Sequence, residues 1–231
     1  MRQLVLELAP APTPTLENFA LGTNARAVAA VRELVSSRSA PLATLYLWGS
    51  PGSGRTHLLR AALSAADSAG LSGSYLEPGS FDTAHIEPAP LIALDDVDRL
   101  GSDEQLAAFD LFNLQRAAHG RWLAAGGRPP AQLALRDDLR TRLGSGVVIE
   151  LTPLDDDAQL AALRAHAADR GFTIGEDILA YLLRNLRRDM GTQMAILDAL
   201  DRASLEMKRP LTLPFARGIL HGLQPDTSTR P

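Results

Sequence analysis

Short apolar runs separated by amphipathic stretches mark the first two thirds of the chain. Leu45–Trp48, Ser74–Glu77, Pro90–Leu94, Arg121–Ala125 and Val147–Leu151 read as five strands. The run Leu91-Ile92-Ala93-Leu94 is apolar without interruption, as a parallel strand buried on both faces should be. Between them, 25–36, 56–69, 102–119 and 133–143 carry apolar residues at helical spacing, with Ser102 placed to cap its helix. In 102–119 the apolar positions are Leu106, Phe109, Leu111, Phe112 and Leu114. Repeated βα units predict an α/β fold with a five-stranded parallel sheet and ligands at the C-terminal ends of its strands. Beyond Pro153 the strand signal stops. Residues 155–170, 175–188, 192–208 and 214–223 read as helices of a small all-helical lid, followed by a disordered tail over 224–231. The expected division is therefore a tail at 1–15, a base at 16–153, a lid at 154–223 and the C-terminal tail.

The first strand runs into Gly49-Ser50-Pro51-Gly52-Ser53-Gly54-Arg55-Thr56-His57 and then a helix. This is the strand–loop–helix context of the phosphate-binding loop, G-x-x-x-x-G-K-[ST]. Glycines let backbone N–H groups converge on an anion, and the helix adds its positive N-terminal end. Thr56 offers a hydroxyl to magnesium. Arg55 replaces the usual lysine, a wide planar fork for a compact ammonium, so diphosphate binding is expected more than triphosphate turnover. Asp95 and Asp96 end the third strand; in P-loop proteins such acids hold magnesium and orient water, although an acidic turn is the plainer alternative.

Other stretches admit two readings each. Phe19 and Leu21 either cover an adenine or belong to the core. Arg140 and Arg142 precede Gly144 and Gly146, and either complement the helix C-terminus or include an arginine finger offered to a neighbour's nucleotide. Gln3, Leu4, Leu6 and Leu8, ahead of Ala9-Pro10-Ala11-Pro12-Thr13-Pro14, are a first strand, a frayed end, or a linear docking peptide on an extended tether. The five histidines have no ligand-like spacing.

Composition narrows the classes. The net charge of −4, with aromatics at 5%, argues against a surface built for sequence-specific DNA contact. No apolar run approaches the roughly 20 residues of a membrane span. There is no signal-peptide pattern, and the absence of cysteine fits the cytoplasm.

Taken together, these segments resemble a known family. Trp-Gly-x-x-Gly-x-Gly-Arg-Thr-His-Leu-Leu at 48–59, the strand ending in Asp95-Asp96, Gly-Arg-Pro-Pro-x-Gln-Leu at 127–133, Asp-Leu-x-x-Arg-Leu at 138–143 and Leu-Asp-x-Leu-Asp-Arg-Ala-Ser at 197–204 are similar to the Hda proteins. These are DnaA-related AAA+ regulators that inactivate the bacterial replication initiator. The resemblance implies ADP or ATP with Mg2+ on Gly49–His57, Thr56 and Asp95 as magnesium positions, Asp96 as the water-orienting acid and Arg142 as the finger. It also implies DnaA and the DNA polymerase III sliding clamp (its β subunit) as partners, with Gln3, Leu4, Leu6 and Leu8 as the clamp peptide. A homodimer stays open. The γ-phosphate sensor position falls on Ala125 or the glycines after it, and the lid arginine falls near Gly191, with Arg187 and Arg188 close by. Three contacts to a γ-phosphate are thus weakened, and bound ADP with little turnover is expected. An autonomous AAA+ ATPase, such as a clamp-loader or helicase-loader relative, is the runner-up, and an interaction scaffold without nucleotide the third reading.

Overall fold

The computed structural model describes residues 13–36, 43–80, 87–185 and 190–221. It divides into two units, with the boundary between Leu154 and Asp155. The first unit carries a five-stranded, all-parallel sheet in the order β2-β3-β4-β1-β5. Its strands are β1 Ala43–Trp48, β2 Gly73–Leu76, β3 Leu91–Leu94, β4 Arg121–Gly126 and β5 Val147–Glu150; its helices are α1 Ala25–Ser36, α2 Arg55–Ser68, α3 Ser102–Ala117 and α4 Asp137–Leu143.

Period-two alternation sends successive strand residues to opposite faces. Leu45, Leu47, Ala93, Leu123 and Ala125 pack with α1 and α2 in one buried cluster. Tyr46, Ile92, Leu94, Trp122 and Ala124 pack with Leu111, Phe112, Leu139 and Leu143 of α3 and α4 in another. Helices on both faces bury β3 and the middle of β4, which is why Leu91–Leu94 and Trp122–Ala125 are uniformly hydrophobic.

Register brings the strand ends together. Trp48 pairs with Gly126, and Leu94 with Ala124, so the residues following β1, β3 and β4 emerge side by side. Asn24 ties the segment before α1 to this end: its side chain accepts from Thr152 N at 2.9 Å and donates to Thr152 O at 2.8 Å.

Two sequence expectations are corrected. Gly101, not Ser102, precedes α3 in extended conformation, and Ser102 is the first helical residue. Glu104 bends back to accept from Gly101 N at 2.8 Å and also holds Gly79 N at 2.6 Å, so the acid supplies the capping contact expected of a serine. The helix expected over 133–143 begins only at Asp137, because Pro129-Pro130 opens a 3-10 turn over Pro130–Gln132 and the chain then runs on with Leu133 and Leu135 buried. Of the apolar positions of α3, Leu106 and Leu114 are exposed at 46% and 43%, while Leu111 and Phe112 are buried.

The second unit is helical: α5 Asp156–Asp169, α6 Glu176–Asn185, α7 Met190–Glu206 and α8 Leu213–His221. Asp155 caps α5 by accepting from Ala158 N at 2.7 Å. Leu163, Ile178, Leu179, Leu182, Leu197, Leu200 and Ala216 form its core. Beside them the Asp198 carboxylate meets His166 Nε2 at 2.8 Å and accepts from Arg170 Nη2 at 3.0 Å. The expected helix over 175–188 is described as far as Asn185, and the tail over 224–231 lies outside the described residues.

Candidate nucleotide site

β1 ends at Trp48, and the loop 49–54 turns back into α2. Its tightness has a cause at each glycine. Gly54 sits at φ 92, a left-handed conformation that suits glycine, and a Cβ there would lie 2.6 Å from the Phe19 ring. A Cβ on Gly49 would strike the Leu151 carbonyl and approach Ser53 Oγ at 2.7 Å. Phe19 therefore lies against the loop, tilted on His57 with ring centroids 5.4 Å apart, while His57 Nε2 meets Thr15 O at 3.0 Å. Leu21, by contrast, is 45% exposed.

The carboxylate at the end of β3 is fully engaged. Asp95 is buried, and its Oδ2 accepts from Thr56 Oγ1 at 2.6 Å and from the Tyr75 hydroxyl at 2.9 Å. Asp95 Oδ1 accepts from Asp96 N at 2.9 Å. Burial, with Asp95's charge and its hydrogen bond behind it, pushes the Tyr75 phenol above the usual tyrosine range, so it remains a donor at neutral pH. Tyr75 was not singled out from sequence. Its only signal was a lone aromatic in the strand that pairs with β3, where Tyr75 stands opposite Ala93.

Asp96 has φ 44 and makes ion pairs on both sides, Oδ1 with Arg55 Nη2 at 3.6 Å and Oδ2 with Arg99 Nη1 at 3.5 Å. At the end of β4, Gly127 N donates to Asp98 Oδ1 at 2.9 Å, and the Tyr46 hydroxyl donates to Arg128 O at 2.9 Å. Burial, then the charge of Asp98, raises the Tyr46 phenol as well. Ala125 and Gly126 are buried in the strand and offer no polar side chain.

These residues suit a phosphate. Ser53 Oγ and Arg55 Nη1 are buried polar atoms with no hydrogen-bond partner among the described residues, a cost normally relieved by a ligand or water. The loop glycines leave a cradle that side chains would fill. Magnesium suits the Thr56 hydroxyl and Asp95 carboxylate, both hard oxygen donors; it keeps several waters and draws its other oxygens from phosphate. No cluster of three or more His, Cys, Asp or Glu suited to a metal occurs among the described residues.

Arg142 lies apart from this site on α4. Its guanidinium stands 5.8 Å from the ring centroids of both Phe109 and Phe112. Its neighbours are neutralised: Arg136 makes a two-pronged pair with Asp138, and Arg140 pairs with Asp137 at 2.6 Å. Arg142 makes no ion pair among the described residues.

The helical unit carries the first likeness to known proteins. The Hda lid-domain model matches residues 156–220. A crystal structure of a DNA replication initiation factor shares 26% identity, covering 85% of this chain and 68% of its own, at a TM-score of 0.67. The replication initiator DnaA bound to AMPPCP and single-stranded DNA shares 24%, covering 85% and 70%, at a TM-score of 0.68. The chain is an Hda-like, DnaA-related AAA+ protein. Domain III of the Thermotoga maritima initiation protein DnaA has the same fold over 92% of this chain and 98% of its own, at 21% identity and a TM-score of 0.72.

Within an Hda-like protein the departures from the wider AAA+ pattern now have positions. Arg55 is the first residue of α2 and reaches Asp96, and Gly127 lies beside its guanidinium. Gln3, Leu4, Leu6 and Leu8, together with Arg187 and Arg188, lie outside the described residues, and Gly191 is in the first turn of α7.

Proposed function

We propose that this protein is a nucleotide-holding negative regulator of replication initiation that acts in trans on the initiator DnaA. The base holds ADP or ATP with Mg2+ through Gly49–His57, Thr56 and Asp95. Arg142 is the finger offered to ATP bound on DnaA, and the peptide around Gln3, Leu4, Leu6 and Leu8 tethers the protein to the sliding clamp. The observation that carries the reading is the state of Arg142. Of the three arginines around α4 it alone makes no ion pair among the described residues, and two aromatic rings hold it half-buried, a cheap arrangement to leave. The net charge of −4 favours a protein partner over DNA. The intact Thr56–Asp95 contact favours the competing reading, an autonomous ATPase.

Both readings meet one experiment. A finger stabilises transition-state charge and is worth about 10³–10⁵ in rate. Arg142→Ala should therefore abolish stimulated hydrolysis of DnaA-bound ATP while the protein's own nucleotide binding stays within about twofold, since Arg142 is remote from the loop. Arg142→Lys should fail as well, because a point charge cannot reproduce the fork. Arg140→Ala is the control. Equal stimulation by all three variants refutes the proposal, and ATP turnover by the protein without DnaA supports the autonomous enzyme.

A further inference from the structure

Arg55 faces two ways. Its Nη2 lies 3.6 Å from Asp96 Oδ1, and its Nη1 is buried with no hydrogen-bond partner among the described residues. The side chain is only 13% exposed, so it is seated inside the site rather than on its rim. Gly127, which follows β4, lies beside Nη1. Asp96 is in turn held from its other oxygen by Arg99, and its backbone is fixed by the bond from its N–H to Asp95.

A lysine at this position would bring one ammonium, which a phosphate would claim, leaving Asp96 free. A guanidinium has five N–H donors in a rigid plane and can serve two anions at once. We infer that Arg55 bridges the phosphate of a bound nucleoside diphosphate and the carboxylate of Asp96, and so locks the acid that would otherwise orient an attacking water. This rests on the nucleotide reading above. Hydrolysis requires a water in line with the terminal phosphorus, its proton directed to a carboxylate oxygen. A carboxylate whose oxygens are each engaged by a guanidinium has fewer lone pairs open to that water. The nucleotide is then a structural ligand of the base domain, retained and not consumed.

The test uses the full chain with Asp96→Asn, Arg55→Lys, the double variant and Arg99→Ala, with fluorescent ADP for affinity and single-turnover hydrolysis of ATP with Mg2+. Freed of Asp96, Arg55 belongs wholly to the phosphate, so Asp96→Asn should tighten ADP about tenfold when residue 55 is Arg and less than about threefold when it is Lys, the coupling expected of groups in contact. Arg55→Lys should raise the single-turnover rate at least about tenfold, the gain expected from releasing a positioned base. Adding Asp96→Asn to it should cancel that gain. Arg99 is 72% exposed and water screens its pair with Asp96, so Arg99→Ala should raise the single-turnover rate less than Arg55→Lys does. Additive affinities, or Arg55→Lys binding nucleotide yet turning over no faster than the wild type, overturn the lock while leaving nucleotide binding in place. Failure of the folded wild-type protein to bind ADP or ATP removes the nucleotide reading itself, and the lock with it.

Discussion

Asp95 illustrates how one residue's chemistry is set by its partners. A buried carboxylate is costly unless its oxygens are satisfied, and here Thr56, Tyr75 and the Asp96 N–H supply three donors. Thr56 and Asp95 were readable from the loop pattern and the strand end; Tyr75 was not, because nothing local links it to an acid 20 residues later. Tyr75→Phe removes one hydrogen bond to a charged group and should cost about 1.5–3 kcal/mol of stability, measured by urea denaturation. The pH dependence follows from the raised phenol. A group whose folded pKa lies above its unfolded value of about 10 contributes stability that is complete below pH 10 and lost as pH rises through the folded value. The gap between the wild type and Tyr75→Phe should thus be flat from pH 7 to 9 and narrow in more alkaline solution. A gap that widens there would contradict the assignment of Tyr75 as donor.

Among the elements, α4 is the most exacting. It has seven residues, too few to be stable alone, and its acids Asp137 and Asp138 sit in the first turn with arginines in the last, as the helix dipole favours. Leu139 and Leu143, both fully buried, fix it to the α3 side of the sheet. Leu139→Ala should destabilise by about 2–5 kcal/mol on thermal or urea unfolding. It should also weaken stimulation of DnaA more than its stability loss explains at temperatures where it remains folded, because Arg142 is carried on the same seven residues. The element's existence and its C-terminal end were legible in the leucine spacing. Its beginning was not: Leu133 and Leu135 continue an apolar pattern, yet they are buried from a 3-10 turn and an extended stretch, which periodicity cannot separate from a helix. Gly101 for Ser102 is a similar case, where a capping contact came from Glu104 three residues on.

At the scale of the whole molecule, the two units have separate cores, and the Pro-rich stretch that follows the proposed clamp peptide is expected to uncouple it from them. A chain lacking residues 1–8 should melt within about 1 °C of the full protein, since 1 kcal/mol shifts Tm by only about 2–4 °C at this size, yet lose clamp capture. Capture undiminished by the deletion would place the clamp contact elsewhere. The succession of strands and helices, the phosphate loop and the change from a sheet unit to a helical one were determined by the sequence alone. Each rests on periodicity or spacing within about 15 residues, where burial of one face leaves its mark directly. The lateral order β2-β3-β4-β1-β5, by contrast, depends on how crossover helices pack on the sheet, and no local pattern encodes it. Only that order and its register put β1, β3 and β4 side by side. They alone carry Tyr75 onto Asp95, bring Arg55 to Asp96 across 41 positions of sequence, and set Gly127 beside the Arg55 guanidinium.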